Sequence, residues 1–220
     1  MSTELQNQMK NACRHGNLNR VIELLNQGAP LNALKKEDPH PAWIASYYGN
    51  LNILEYLVSQ GADIHYDYSP AIDGAVQGGN LNICQYLLNS GVNIRDDPIT
   101  MYRACMSTKP SAYEIIELLY EHGGIINCRS ADGDHIITSL ATIGDIDKLK
   151  FLFELGASPN VDSGGPLQYA CIHGEIEVVK LLLDYGARVN VYKGRALKLA
   201  KTRGHRDIAQ LLINWGANPQ

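Results

Sequence analysis

Hydrophobic positions along the chain fall into short helical stripes punctuated by glycines. Between Gly165 and Asn190 the order is G-P-L-Q-Y-A-C-I-H-G-E-I-E-V-V-K-L-L-L-D-Y-G-A-R-V-N. Its first half predicts a short helix with Leu167, Tyr169, Ala170 and Cys171 as apolar or small residues, then a break at His173-Gly174. A second helix follows with Ile176, Val179, Leu182 and Leu183 as its apolar stripe, and Gly186 suits the left-handed residue that closes a helix. Neither helix is long enough to bury its apolar face alone, so the pair predicts copies of itself stacked on either side.

The copies are present. The closing glycine recurs at Gly28, Gly61, Gly91, Gly123, Gly156, Gly186 and Gly216, at intervals of 33, 30, 32, 33, 30 and 30 residues. The turn glycine lies 12 residues earlier in six of the seven, at Gly16, Gly49, Gly79, Gly144, Gly174 and Gly204. One offset held over most of the chain predicts a single repeat domain spanning residues 1–220, with repeats at about 1–32, 33–65, 66–95, 96–127, 128–160, 161–190 and 191–220.

These marks resemble the ankyrin-repeat family. Its T-P-L-H-x-A motif is matched at His40-Pro41-Ala42-Trp43-Ile44-Ala45 and Gly165-Pro166-Leu167-Gln168-Tyr169-Ala170. Its closing G-A-x-x-N is matched at Gly28-Ala29-Pro30-Leu31-Asn32, Gly156-Ala157-Ser158-Pro159-Asn160 and Gly186-Ala187-Arg188-Val189-Asn190, and its finger turn at Asp132-Gly133. The resemblance implies an all-α ankyrin-repeat solenoid of stacked helix-turn-helix units with β-turn fingers. The family's histidine is replaced by Trp43, Asp73, Tyr102, Thr138, Gln168 and Lys198, which puts its usual hydrogen-bond network in question. The 30-residue units look like those of large DNA viruses and of bacteria that live inside or compete with other cells, and imply an effector or an inhibitor or immunity protein.

Composition narrows the classes. A hydrophobic content of 45% over 220 residues suffices for a large core, and a net charge of −4 gives no general reason for nucleic-acid or membrane binding. Met1 to Lys10 is polar and no run approaches membrane-spanning length, so a soluble cytoplasmic protein is expected, in the producing or a host cell. Asn11 reads as a water-facing cap of the first repeat, and Arg206, standing where Leu18, Leu51, Leu81, Ile146 and Ile176 stand elsewhere, as the other end face. Cys13, Cys105 and Cys171 share one small-residue position and Cys84 a stripe position, so four of the five cysteines are expected in the core. In the fourth repeat, Ser107-Thr108-Lys109-Pro110-Ser111 lengthens the turn, Pro110 suits the start of the second helix, and Tyr113, Ile116, Leu119 and Tyr120 form its core stripe.

The chemistry expected is recognition rather than catalysis. Seven histidines are scattered among turns, Asp132-Gly133-Asp134-His135 reads as a finger turn rather than a metal site, and no phosphate loop, H-E-x-x-H or nucleophile elbow is present. No enzyme activity, metal or cofactor is expected. The expected function is a monomeric module that binds another protein through its fingers and first helices. Its contact residues are Trp43, Tyr47, Tyr48, Tyr66, Asp67, Tyr68, Asp73, Asp96, Asp97 and Tyr102, because tyrosine and tryptophan anchor interfaces at low entropic cost. From Glu55 to Asp97 six acids face one base, Arg95, whereas from Arg188 to Arg206 there are seven bases and no acid. The basic surface at Lys193, Arg195, Lys198 and Lys201 supports an alternative, nucleic-acid or phosphorylated-ligand binding. A third reading is implied by the family alone: Asn127, Asn160 and Asn190 stand where ankyrin asparagines become hydroxylated.

Overall fold

The computed structural model describes residues 2–32, 40–65 and 71–218, and the predicted pairs are helical throughout. In order they are α1 (Ser2–Arg14), α2 (Leu18–Asn26), α3 (Pro41–Tyr47), α4 (Leu51–Ser59), α5 (Ala71–Gly78), α6 (Leu81–Asn89), α7 (Pro98–Met106) and α8 (Ala112–Glu121). Then follow α9 (Ile136–Ile143), α10 (Ile146–Glu154), α11 (Val161–His173), α12 (Ile176–Asp184), α13 (Arg195–Arg203) and α14 (Arg206–Asn214). Among the described residues the only β pairing outside helices is an isolated antiparallel bridge between Arg129 and His135. The architecture is all-α and made of consecutive helix pairs.

Two compact bodies divide the chain, Met1–Gly124 and Ile125–Gln220. In the N-terminal body the first helices α1, α3, α5 and α7 pack in sequence, with α2 against α4 and α6 against α8. In the C-terminal body α9, α11 and α13 form the row of first helices, with α10, α12 and α14 behind them.

Every closing glycine is left-handed, from φ 84° at Gly28 to 95° at Gly123. The next N–H then turns back to a leucine carbonyl, as Ala187 does to Leu182 at 2.8 Å, which stops the helix and buries the following alanine. Asparagines bind one repeat to the next. Asn160 Oδ1 accepts from the Arg188 N–H and its Nδ2 donates to Gly186 O, both at 2.9 Å; Asn190 does the same with the Asn218 N–H at 3.0 Å and Gly216 O at 2.9 Å. Asn127 accepts from the Ser158 N–H at 2.9 Å. The three asparagines implied as modification sites thus all hold backbone together.

The turn between paired helices is bound in a similar way. Asn50 Nδ2 donates to Cys13 O and Asn80 Nδ2 to Ser46 O, each at 2.7 Å, and so cap the preceding first helix. In the fourth repeat Ser111 takes this part, its hydroxyl donating to Gly79 O at 2.7 Å, so the longer turn keeps the link. Helix α8 begins at Ala112, which leaves Pro110 in the turn rather than in the helix.

Several stripe assignments are corrected by the packing. Helix α8 buries Ala112, Ile115, Ile116, Leu118 and Leu119, while Tyr113 and Tyr120 reach solvent with their polar ends. At the register of Asn11, Ile44 is buried, Leu199 half-buried and Tyr169 46% exposed although it lies on an interior first helix, so exposure there is not confined to the first repeat. Arg206 and its counterparts open their helices, where even Leu51 and Ile176 are only half-buried, so arginine there carries no information about an end face. Two residues later Ile53, Ile83, Val178 and Ile208 are buried while Arg20 is half-buried, and the register after that, at Val21, Leu54, Cys84, Leu149 and Val179, is buried throughout. The first of these two registers is the one that varies. In α10 that register holds Lys148, a buried lysine whose Nζ lies 3.6 Å from Asp145 Oδ2.

All five cysteines are buried and none is in a disulfide, Cys128 included. Burial pushes the thiols of Cys13, Cys84 and Cys171 up to about 12, because the thiolate would lose its hydration.

Two of the shortened repeats, 161–190 and 191–220, solve their connection locally. Asp162, Ser163 and Gly164 have φ of 48°, 54° and 80°, and Tyr192, Lys193 and Gly194 repeat the run at 47°, 56° and 73°. Asp162 to Gly164 form a kink inside the bounds of α11 and Tyr192 to Gly194 precede α13, and in both places three left-handed residues lead into the regular first helix, at a cost of about 1–2 kcal/mol for each non-glycine residue.

Candidate functional site

The N-terminal body presents a linked row of side chains along its first helices. Trp43 and Tyr47, four residues apart and therefore on one face of α3, stack with centroids 5.1 Å apart. Tyr48 meets Tyr47 edge-on at 5.1 Å, and the Arg14 guanidinium lies 5.4 Å from the Tyr48 ring centre, a cation–π contact from α1. On the other side Trp43 Nε1–H donates to Asp73 on α5 at 3.4 Å. Asp73 also accepts from Gln77 Nε2 at 2.7 Å and forms an ion pair with Arg103 on α7 at 2.5 Å. Four successive first helices are thus connected by polar and aromatic contacts.

This row is possible because α5 comes unusually close to α3. A Cβ at Gly74 would lie 2.6 Å from Trp43 O, and one at Gly78 would lie 2.2 Å from Tyr47 O. The two glycines, one helical turn apart, remove the side chains that would otherwise separate the helices.

The expected contact residues divide by what they do. Tyr48, at 44% exposure, and the half-buried Trp43, Tyr47 and Tyr102 belong to the first-helix face. Asp73 is buried among its partners and offers no free surface. Asp97 caps α7, its Oδ1 accepting from the N–H groups of Ile99 at 3.1 Å and Thr100 at 3.0 Å. Asp96 is exposed, and with Asp73, Asp97, His65, Thr100 and Arg103 it lines a cleft of about 480 Å³. Tyr66, Asp67 and Tyr68 lie outside the described residues. Sequence reading missed Arg14, Gln77 and Arg103. Arg103 stands one residue after Tyr102, which holds the register of Trp43 and Asp73, so the repeat positions did not single it out.

The C-terminal body is organised differently. Lys193, Arg195, Lys198 and Lys201 are exposed and line a cleft of about 920 Å³ with Tyr192 and Leu197, and no ion pair joins any of the four to an acid among the described residues. The finger at 129–135 is closed by the Ser130 N–H to Asp134 O bond at 2.9 Å and by Arg129 Nη1 to Gly133 O at 2.8 Å. Its Arg129 also pairs with Asp162 at 2.5 Å. His135 ends the finger and precedes α9, its Nδ1 accepting from the Ile137 N–H at 3.4 Å. Burial holds the His135 ring below the ordinary histidine range, with Asp162 opposing that shift and Arg129 adding to it. Among the described residues no group of three His, Cys, Asp or Glu is arranged to hold a metal, and no helix is long and apolar enough to cross a membrane.

Comparison with known families agrees with the geometry. A model described as "Ankyrin repeats (3 copies)" matches residues 135–220, and one described as "Ankyrin repeat" matches residues 40–68. No curated protein matches the chain.

Proposed function

Because the chain belongs to the ankyrin-repeat family, whose members are generally protein-interaction modules, we propose that it is a non-catalytic module gripping a partner protein through the first-helix face of its N-terminal body. The observation that carries this reading is the Arg14, Tyr48, Tyr47 and Trp43 array, which reaches solvent at one end and is held by Asp73 and Arg103 at the other. Rings fixed before binding lose little freedom when a partner covers them, which is what a contact anchor requires. Asp96, beside the face, adds an exposed acid that favours a partner with basic residues at its rim. The chain acts as a monomer and by occupation, as an effector or inhibitor does when it covers a surface another protein needs.

The test is quantitative capture from the native cell, with wild type, Tyr48→Ala and Arg14→Glu compared by mass spectrometry. One protein should be enriched with wild type and lost by about tenfold or more with either variant, a loss of roughly 1.4 kcal/mol or more. Tyr113→Ala, an exposed tyrosine on a second helix, should capture as wild type does. Equal recovery with Tyr48→Ala and Arg14→Glu would refute this face as the site.

A further inference from the structure

The C-terminal body holds an opening that the aromatic row does not explain. A groove of about 530 Å³ runs between the 129–135 finger, the kinked start of α11 at Asp162 and Gly165, and the start of α13. Tyr169 and Tyr192 line it at 46% and 62% exposure, with the half-buried Leu199 between hydrophilic neighbours. Toward its interior the Thr138 hydroxyl is buried and has no hydrogen-bond partner. The His135 Nδ1 accepts from backbone, so the neutral ring carries its proton on Nε2. The opening also carries the exposed Arg195, which no acid pairs with among the described residues, and the adjoining cleft adds Lys193, Lys198 and Lys201.

Hydrogen-bond donors within, aromatic walls and unbalanced cations at the rim complement a carboxylate borne on an apolar stem. We propose that this groove is a second docking site that takes an acidic segment of a partner protein, a glutamate or aspartate side chain entering between Tyr169 and Tyr192 toward Arg195 and Thr138. Arg129 and Asp162, which also line the groove, are paired with each other, and Asp134 repels any anion beside it, so a single carboxylate directed to Arg195 meets less repulsion than a continuous run of phosphates. An acidic protein segment is therefore the better fit than a nucleic acid. The proposal rests on the chain being a protein-interaction module, but it uses none of the side chains of the Tyr48 face and fails or succeeds separately.

The experiment is fluorescence anisotropy on the full chain with three labelled probes: a peptide of alternating glutamate and leucine, its lysine-for-glutamate counterpart, and oligothymidylate. The glutamate peptide should bind and weaken as NaCl is raised. Its affinity should fall by about tenfold or more in Arg195→Glu and in Lys198→Glu, and severalfold in Thr138→Val. Tyr48→Ala should leave it unchanged. Arg195 and Lys198 are exposed, so both charge-reversal variants should keep the wild-type melting curve. Tighter binding of oligothymidylate, equal binding of the lysine peptide, wild-type affinity in Arg195→Glu, or no binding of the glutamate peptide would each overturn the proposal.

Discussion

In the N-terminal body Trp43 and Asp73, at the register of the family's histidine, are bonded to each other across α3 and α5; in the C-terminal body Gln168 donates to the Ser163 carbonyl, Lys198 on α13 reaches solvent, and the buried Thr138 hydroxyl has no partner among the described residues. The difference follows from helix spacing: Gly74 and Gly78 bring α5 onto the backbone of α3, and no such pair stands on α11 or α13. Closely packed first helices let chemically unlike side chains satisfy one another. More widely separated ones leave the same register available to a ligand.

The largest effect that can break this contrast is Gly78→Ala. Its Cβ would meet backbone at 2.2 Å, and a loss of about 3 kcal/mol is expected in denaturant unfolding. His173→Ala, one residue before the turn glycine as Gly78 is, lies exposed and should change stability by under about 0.5 kcal/mol. Comparable losses would show that the spacing difference is not the cause. Asp73→Ala comes next. It leaves the Trp43 and Gln77 donors unpaired and should lose about 2 kcal/mol, while Lys198→Ala, at the same register, should be near neutral by thermal melting.

The buried Lys148 sharpens the comparison in the other direction. Lys148→Ile restores the residue found at Ile53 and Ile83, and Asp145, 30% exposed, still caps α10 from solvent. A gain of about 1 kcal/mol is expected, read as a higher denaturation midpoint with unchanged slope. The smallest effect is shared by both bodies. Burial lowers His40, with Asp63 opposing, and His135, each from an ordinary value of 6.5, so the folded state binds fewer protons than the unfolded chain just below that pH. Their contribution is complete above 6.5 and is lost as pH falls through the lowered folded values. The melting temperature should therefore drop on acidification below about pH 6.5, and less so in His135→Asn.

Much of the fold was legible in the chain because glycine marks turns by conformational necessity. The seven closing glycines and six turn glycines are all left-handed, and the helix pairs lie between them. Side-chain direction was less legible. A stripe read at every third or fourth residue placed Tyr113, Tyr120 and Tyr169 inward, and only packing shows that their neighbours fill that space. Lys148 escaped notice because a charge on an amphipathic helix ordinarily faces water. At the candidate site the aromatic residues of α3 were legible from composition. Their partners Arg14 and Arg103 were not, since these contacts join residues brought together by stacking and not by nearness along the chain.

The two left-handed connectors, Asn160 to Gly164 and Asn190 to Gly194, carry a further consequence. They begin and end alike, and each opening asparagine engages its neighbour through the same two bonds. Residues 161–190 therefore behave as a cassette with matching edges, which a tandem duplication inserts without creating a new kind of joint. A duplication of this cassette would lengthen the protein by one whole step of 30 residues and would add one more side chain at the Gln168 and Lys198 register.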